Sequence, residues 1–139
     1  MPTLTAGGAS EAVTFAQSMG MPFDTLNWLR DAYNRTSAMI ALAVASGVQV
    51  FAGTDAGQFA HGALVEQIHL MRAAGMSAEQ ARAAASWEAR AYLGLPSMEP
   101  GASADFIVYR HDPRIHPETL ERPELIVLDG RVIPAIHRR

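Results

Sequence analysis

The chain has 139 residues, of which 49% are hydrophobic and 18% are charged, and its formal net charge is −3. This composition excludes a disordered chain, and the lack of a long basic block argues against nucleic-acid binding. The chain has no cysteine, which excludes disulfides and thiolate metal sites.

The first strong helical pattern begins at Asp24, which is a favourable N-cap residue. Gly47 ends this pattern. Val48 to Ala52 is too short for a helix and rich in β-branched and aromatic residues, so we interpret it as a buried strand. A helix, a glycine and a buried strand in this order predict one αβ step of a parallel sheet.

Two further helices are predicted in the following segment. The first covers Ala63 to Ala74. The second begins after Ser77, where Gln80 three residues later completes a capping box, and it continues to about Leu93. Trp28 and Trp87 lie on predicted helices, and we interpret them as packing residues.

The pattern changes after Pro96, because the prolines beyond it exclude long helices. Strands are predicted here instead, and Asp129-Gly130 is the signal of a two-residue hairpin. The predicted strands are Phe106–Tyr109, Leu125–Leu128 and Arg131–Ile133. The chain therefore divides near residue 95 into an α/β part, residues 1–95, and a small β part, residues 96–139.

Asp55 is the first candidate for chemistry. It follows the predicted buried strand and stands between Gly53 and Gly57, whose small size lets a ligand approach the backbone. Sites in parallel α/β folds gather at the carboxyl ends of strands, where a carboxylate can serve as a metal ligand or a general base. The alternative is an Asx turn that only ends the strand, and the local pattern alone favours this structural role.

The histidines give a weaker signal, because none of the five forms an HxH pair or an HExxH motif. His61 stands six residues after Asp55 and could line the same cleft, or it could simply close the loop before the next helix. Catalytic zinc takes at least three protein ligands, so a metal site made from this chain alone would be poor in ligands.

Several segments taken in order resemble one protein family. They are "VFAGTDAG" at residues 50–57, the helical stretch at residues 61–95, "MEPGASADFIVYRHDP" at residues 98–113 and "PELIVLDGRVI" at residues 123–133. Together they are similar to the C-terminal end of the amidohydrolase superfamily, and most of all to its imidazolonepropionase and prolidase-like branch.

The resemblance implies an α/β fold, namely the last part of a (β/α)₈ TIM barrel followed by the C-terminal strands of a small composite β-sandwich domain. Residues 1–95 would hold the last two βα units of the barrel, and residues 96–139 would form the sandwich segment. Pro2-Thr3-Leu4 would end the seventh barrel strand, and Val48–Ala52 would be the eighth. The turn from Gly101 to Asp105 would lead into the sandwich strands and carry no chemistry.

The resemblance also implies a metal-dependent hydrolase of amide or related C–N bonds. Asp55 would contact the metal and accept a proton from the attacking water, and His61 would lie where substrate passes. The cofactor would be one or two divalent ions, with zinc the first choice. The family's HxH pair, its carboxylated lysine and its other histidines have no counterpart in this chain, so most ligands would come from outside it.

The missing ligands leave alternatives open. The chain could be the C-terminal part of a longer enzyme, one half of a split hydrolase that needs a partner chain, or a non-catalytic fragment or domain that oligomerises. We expect the isolated chain to be inactive, and to self-associate or to pack against a missing N-terminal barrel half, because two strands cannot close a barrel. The substrate would be a small or dipeptide-like molecule. No segment resembles a signal peptide or a membrane span, so a cytoplasmic location is expected.

Overall fold

The computed structural model describes residues 13–134 of the chain, apart from residue 15 and residues 58–60. The chain divides into two compact units, Met1–Ala89 and Arg90–Arg139. The first is helical in its described part, and the second contains a small antiparallel sheet. The predicted Pro2–Leu4 strand end lies outside the described residues.

The long helix α1 covers Phe23–Ala45. Its N-cap residue is Pro22, and no side chain caps it, so the prediction of Asp24 as N-cap is wrong. Asp24 lies in the first turn instead, where its charge still favours the positive end of the helix dipole. Gly47 ends the helix as predicted. Its φ of 72° allows a Schellman motif, in which the Val48 N–H donates to the Ala43 carbonyl at 2.9 Å.

Helices α2, Leu64–Ala73, and α3, Ala78–Ala84, complete the packing of the first unit. Helix α2 packs against both α1 and α3. The core contains Ile40 of α1 and Met71 of α2, which are 3% and 0% exposed. Their burial explains why short helices are stable here, since helices of this length depend on tertiary packing rather than on propensity alone.

The predicted capping box of α3 is confirmed. The Gln80 N–H donates to the Ser77 hydroxyl at 3.1 Å, and the Ser77 N–H donates to the Gln80 side-chain oxygen at 2.8 Å. The single helix predicted to reach Leu93 is wrong, because a break separates α3 from α4, Trp87–Tyr92. At the break the Ala85 and Ser86 N–H groups bond carbonyls three residues back, which ends the α-helical ladder.

The predicted buried strand at Val48–Ala52 is not a strand in the structure. Its backbone groups bond to helix ends rather than to a neighbouring strand. The Val48 N–H closes α1, and the Ala52 N–H donates to the Ala84 carbonyl at the end of α3. The segment is not fully buried either, since Val48 is 57% exposed. A strand requires a ladder partner, and none pairs with these residues in the described part of the chain.

The second unit is built on three antiparallel strands, β1 (Phe106–Val108), β2 (Leu125–Leu128) and β3 (Arg131–Ile133). They lie side by side in chain order. A 3₁₀-helix, Pro117–Glu121, precedes β2. The predicted hairpin between β2 and β3 is confirmed. Asp129 and Gly130 have φ values of 50° and 70°, as a type I′ turn requires.

The turn before β1 stabilises this hairpin. The Asp129 N–H donates to the Asp105 carboxylate at 2.7 Å, and the Gly130 N–H donates to the Ala104 carbonyl at 3.1 Å. Arg90 lies 3.5 Å from the other Asp105 oxygen. The hydrogen bond from Asp129 is the main cause that lowers the pKa of Asp105, with Ser103 and Arg90 adding to it. The structure thus gives Asp105 an architectural role.

Both units expose large apolar side chains. In the first unit Trp28 is 66% exposed and Trp87 is 46% exposed, so the interpretation of these residues as packing residues is wrong for the chain by itself. Others in this unit are Met19, Phe23, Met39 and Leu42. In the second unit Ile107, Leu128 and Val132 are similarly exposed. These side chains leave apolar surface in contact with solvent in both units.

Candidate active site

Asp55 lies in an irregular loop that follows α1, here called the Asp55 loop and comprising residues 53–57. Its φ is 50°, in the left-handed region that Asp and Asn tolerate better than most non-glycine residues. Gly57 follows with a φ of 115°, which only glycine adopts without strain. The backbone conformation alone therefore accounts for an aspartate at residue 55 and a glycine at residue 57, whether or not Asp55 has a chemical role.

The carboxylate of Asp55 is exposed to solvent. An exposed carboxylate on a loop can accept a proton or bind a cation, because it keeps its lone pairs available. The structure therefore places the predicted catalytic residue where a substrate can reach it. Asp55 is not preceded by the strand that was predicted at Val48–Ala52.

One hydrogen bond holds the segment that leads into this loop. The Ala52 N–H donates to the Ala84 carbonyl at 3.0 Å. Ala84 is the last residue of α3 and is 0% exposed. Sequence reasoning missed this contact, because alanine carries no chemical signal and the bond joins residues that are distant in sequence.

His61 precedes α2 and is exposed, with its neighbour Gly62 at a φ of 88°. The loop between Asp55 and His61 contains residues 58–60, which lie outside the described residues. Both candidate residues thus belong to the same helical unit and are open to solvent. His61 remains a candidate for substrate contact on these grounds.

The described side chains do not form a cluster of metal ligands. Within the described ranges, no group of three or more His, Asp or Glu side chains could hold a metal ion. Glu66 is exposed on α2 and His69 is partly buried there, but neither completes a ligand set with Asp55. The described residues therefore do not fit a complete metal site, although Asp55 could supply one ligand.

A second group of polar side chains lies in the β unit, around a groove of about 590 Å³. The His111 and His116 rings lie 5.5 Å apart, and the His116 Nδ1 atom lies 3.2 Å from a Glu118 oxygen. A backbone hydrogen bond within Glu118 is the main cause that lowers its pKa, with His116 adding to it. These groups are largely exposed and pair with one another, so they make a solvated surface cluster.

Comparison with known proteins gives a consistent result. A model of the amidohydrolase family matches residues 4–133. An uncharacterized protein of Mycobacterium bovis and uncharacterized proteins from two strains of Mycobacterium tuberculosis are each 42% identical to this chain over 104 residues. The match covers 74% of this chain but 28% of each relative. The chain therefore spans little more than a quarter of the length of the curated relatives that it matches.

Proposed function

Because the chain belongs to the amidohydrolase family, we propose that it supplies the C-terminal part of a hydrolase that cleaves amide or related C–N bonds. The observation that carries this proposal is the family match over residues 4–133, which includes an exposed Asp55 in a conformationally specialised loop. The resemblance to the imidazolonepropionase and prolidase-like branch favours a small or dipeptide-like substrate.

The proposed chemistry uses Asp55 as a general base. Its carboxylate accepts a proton from the attacking water while the water oxygen bonds to the substrate carbonyl carbon. Asp55 then returns this proton to the leaving nitrogen as the C–N bond breaks. The products are a carboxylic acid and an amine, and the Asp55 carboxylate is regenerated. His61 would contact the substrate from the same unit.

The family generally uses divalent metal ions, and zinc is our first choice here. The described residues do not make a ligand set, so no step in this proposal depends on a metal held by this chain. In the complete enzyme Asp55 would be one ligand, and the others would come from residues outside this chain. Metal bound there would supply a more acidic water than bulk solvent.

The exposed apolar side chains favour packing against a part of the structure that this chain lacks. We propose that the first unit belongs to the last part of a (β/α)₈ barrel, with Val48–Ala52 as a strand once its neighbours are present and with Ala52, its last residue, still bonded to Ala84. Exposed residues such as Trp28, Met39 and Leu42 would then pack against the missing barrel part, or against a second copy of the chain. The β unit would similarly complete a composite sandwich.

The test compares two aspartates that share a backbone conformation. Asp55 and Asp129 both have a φ of 50°, and asparagine tolerates this region as well as aspartate does. We expect Asp55→Asn in the complete polypeptide to lower kcat about 100- to 10,000-fold, because a general base is lost. Asp129→Asn should leave kcat unchanged. The assay would follow amine release from a panel of dipeptides and N-acyl amino acids.

A second candidate function is favoured by the left-handed Asp55 loop itself. If Asp55 only shapes a turn, the chain is a non-catalytic domain that oligomerises through its exposed apolar surface. In that case Asp55→Asn and Asp55→Gly would both leave turnover by the complete polypeptide unchanged. Loss of activity in both variants, with unchanged circular dichroism, would exclude the turn-only role, since glycine accepts this conformation more readily than aspartate.

A further inference from the structure

The contact between Ala52 and Ala84 joins the Asp55 loop to the end of a helix. The last carbonyl groups of any helix lack partners within it and must find a donor elsewhere. The Ala84 carbonyl finds its donor in the Ala52 N–H at 3.0 Å. Ala52 precedes Asp55 by three residues, so this bond fixes the chain immediately before the loop.

Small side chains make this contact possible. Ala81, Ala83 and Ala84 of α3 are each 0–1% exposed, so the helix presents methyl groups to its surroundings. Small side chains at the end of α3 leave room for the chain before the Asp55 loop to approach to hydrogen-bond distance without steric conflict. The alanines of α3 therefore allow this close contact, in addition to favouring the helix.

The other end of α3 is also held. The capping box at Ser77 and Gln80 satisfies two N–H groups at the start of the helix. Helix α3 is short, with seven residues between its two caps. The Ala84 carbonyl therefore lies less than two turns from the capping box.

We propose that α3 is the positioning element of the Asp55 loop, with the Ala84 carbonyl as its anchor. The helix acts through Ala52 and touches neither substrate nor reacting atoms. Any effect of α3 on catalysis rests on the proposed function of Asp55. The coupling of α3 to the Asp55 loop through Ala52 does not depend on that function. One experiment therefore measures the coupling between α3 and the Asp55 loop, and a second measures the effect of this coupling on catalysis.

The coupling is tested by amide hydrogen exchange in the full chain, measured by NMR. The Ala52 amide should exchange more slowly than that of Gly53, which donates no such backbone bond to any of the described residues. Ser77→Ala should accelerate exchange at Ala52 about 2- to 30-fold, as expected from the loss of an N-cap. Ser77→Thr, which keeps a capping hydroxyl, should restore most of the protection. Ser97→Ala, an exposed change in the other unit, should have no effect.

The effect on catalysis is tested at Ala52 itself in the complete polypeptide. Ala52→Pro removes the N–H donor, whereas Ala52→Ser keeps it with little added volume. We expect Ala52→Pro to lower kcat about 10- to 100-fold with KM unchanged, as misplacement of a catalytic group by about 1 Å does. Ala52→Ser should retain both constants. The same panel of dipeptides and N-acyl amino acids serves as substrate.

Distinct results contradict the coupling and its effect on catalysis. Exchange at Ala52 as fast as at Gly53, or acceleration within α3 that leaves Ala52 unchanged, contradicts the anchor. An equal loss of kcat in Ala52→Pro and Ala52→Ser contradicts positioning through the hydrogen bond. A wild-type polypeptide that hydrolyses none of the panel while Ala52 is protected refutes the proposed function for these substrates but leaves the anchor intact.

Discussion

The Asp55 loop and the β2–β3 hairpin place an aspartate in the same backbone conformation for different reasons. Both Asp55 and Asp129 have a φ of 50°, and each is followed within two residues by a glycine of positive φ. In the hairpin the backbone N–H of Asp129 is bound by the Asp105 carboxylate, and the strands on either side pair with each other. The Asp55 loop is joined instead to a helix end, through Ala52.

This difference shows what local geometry can and cannot decide. A left-handed aspartate beside a glycine is sufficient to make a turn, and the hairpin uses it for nothing more. In the Asp55 loop the same conformation presents an exposed carboxylate to which we assign the role of proton acceptor as a proposal. The turn conformation by itself therefore does not distinguish an aspartate with a structural role from one with a chemical role.

The largest expected effect on stability concerns the cores of the two units. Met71 supports the helical unit and is 0% exposed, whereas Val127 supports the hairpin and is 8% exposed. Met71→Ala should lower the free energy of unfolding by about 2–5 kcal/mol, because it removes a long side chain and leaves a cavity. Val127→Ala should cost about 1.5 kcal/mol, since it removes two methyl groups. Urea unfolding followed by circular dichroism measures both.

Equal losses of unfolding free energy in Met71→Ala and Val127→Ala would contradict the greater burial of Met71. Met71→Leu is the matched control, because a swap that conserves volume usually costs less than about 1.5 kcal/mol. A large loss with leucine would indicate that the shape of the methionine side chain matters more than its burial.

A smaller effect should distinguish the two glycines. An added Cβ would meet no atom of the described residues within 4 Å at either Gly57 or Gly130, so we attribute the cost of Ala substitution there to the backbone. Gly130 has a φ of 70°, close to the left-handed helical region, and Gly130→Ala should cost about 1–2 kcal/mol. Gly57 has a φ of 115°, outside that region, and Gly57→Ala should cost more, up to about 3 kcal/mol.

The measurement is again the free energy of unfolding. A smaller cost at Gly57 than at Gly130 would show that the Asp55 loop relaxes, while the hairpin, fixed by its strands, does not. Such relaxation would weaken the case for a positioned carboxylate. Gly101→Ala in the second unit, at a φ of 92° and also with open space around it, provides an intermediate reference.

Local signals in the sequence predicted local structure well. The end of α1 at Gly47, the capping box at Ser77 and the hairpin at Asp129-Gly130 all depend on residues within a few positions of each other. These predictions were confirmed because the hydrogen bonds that define them form inside the segment. The β2 and β3 strands adjoin such a turn, and their predicted bounds were confirmed as well.

Predictions that needed a distant partner were wrong for the chain by itself. Val48–Ala52 has strand-forming residues, but a strand exists only with a neighbour, and here its N–H groups bond to helix ends. Trp28 has the size of a core residue, but no described element covers it. For the site, sequence located Asp55 and His61 on one unit. It could not supply their partners, because the family's other ligands have no counterpart in these residues.

The smallest expected effect is confined to acid pH and concerns the carboxylate that stabilises the hairpin. The hydrogen bond from the Asp129 N–H lowers the pKa of Asp105 in the folded chain below its ordinary value of 3.8. A depressed folded pKa contributes stability that is fully present above the unfolded pKa and is lost as pH falls through the folded pKa. Wild-type stability should therefore decline below about pH 4, and Asp105→Asn should remove this part of the decline.

Unfolding midpoints in urea between pH 2 and pH 6 measure the effect. Glu118→Gln is the comparison variant, because Glu118 also has a lowered pKa and lies in the exposed cluster with His116. Glu118→Gln should remove its own part of the acid decline by the same linkage and leave the part that depends on Asp105 in place. If Asp105→Asn kept the wild-type acid profile, the hairpin would not depend on the carboxylate charge. The contrast with the Asp55 loop would then rest on strand pairing alone.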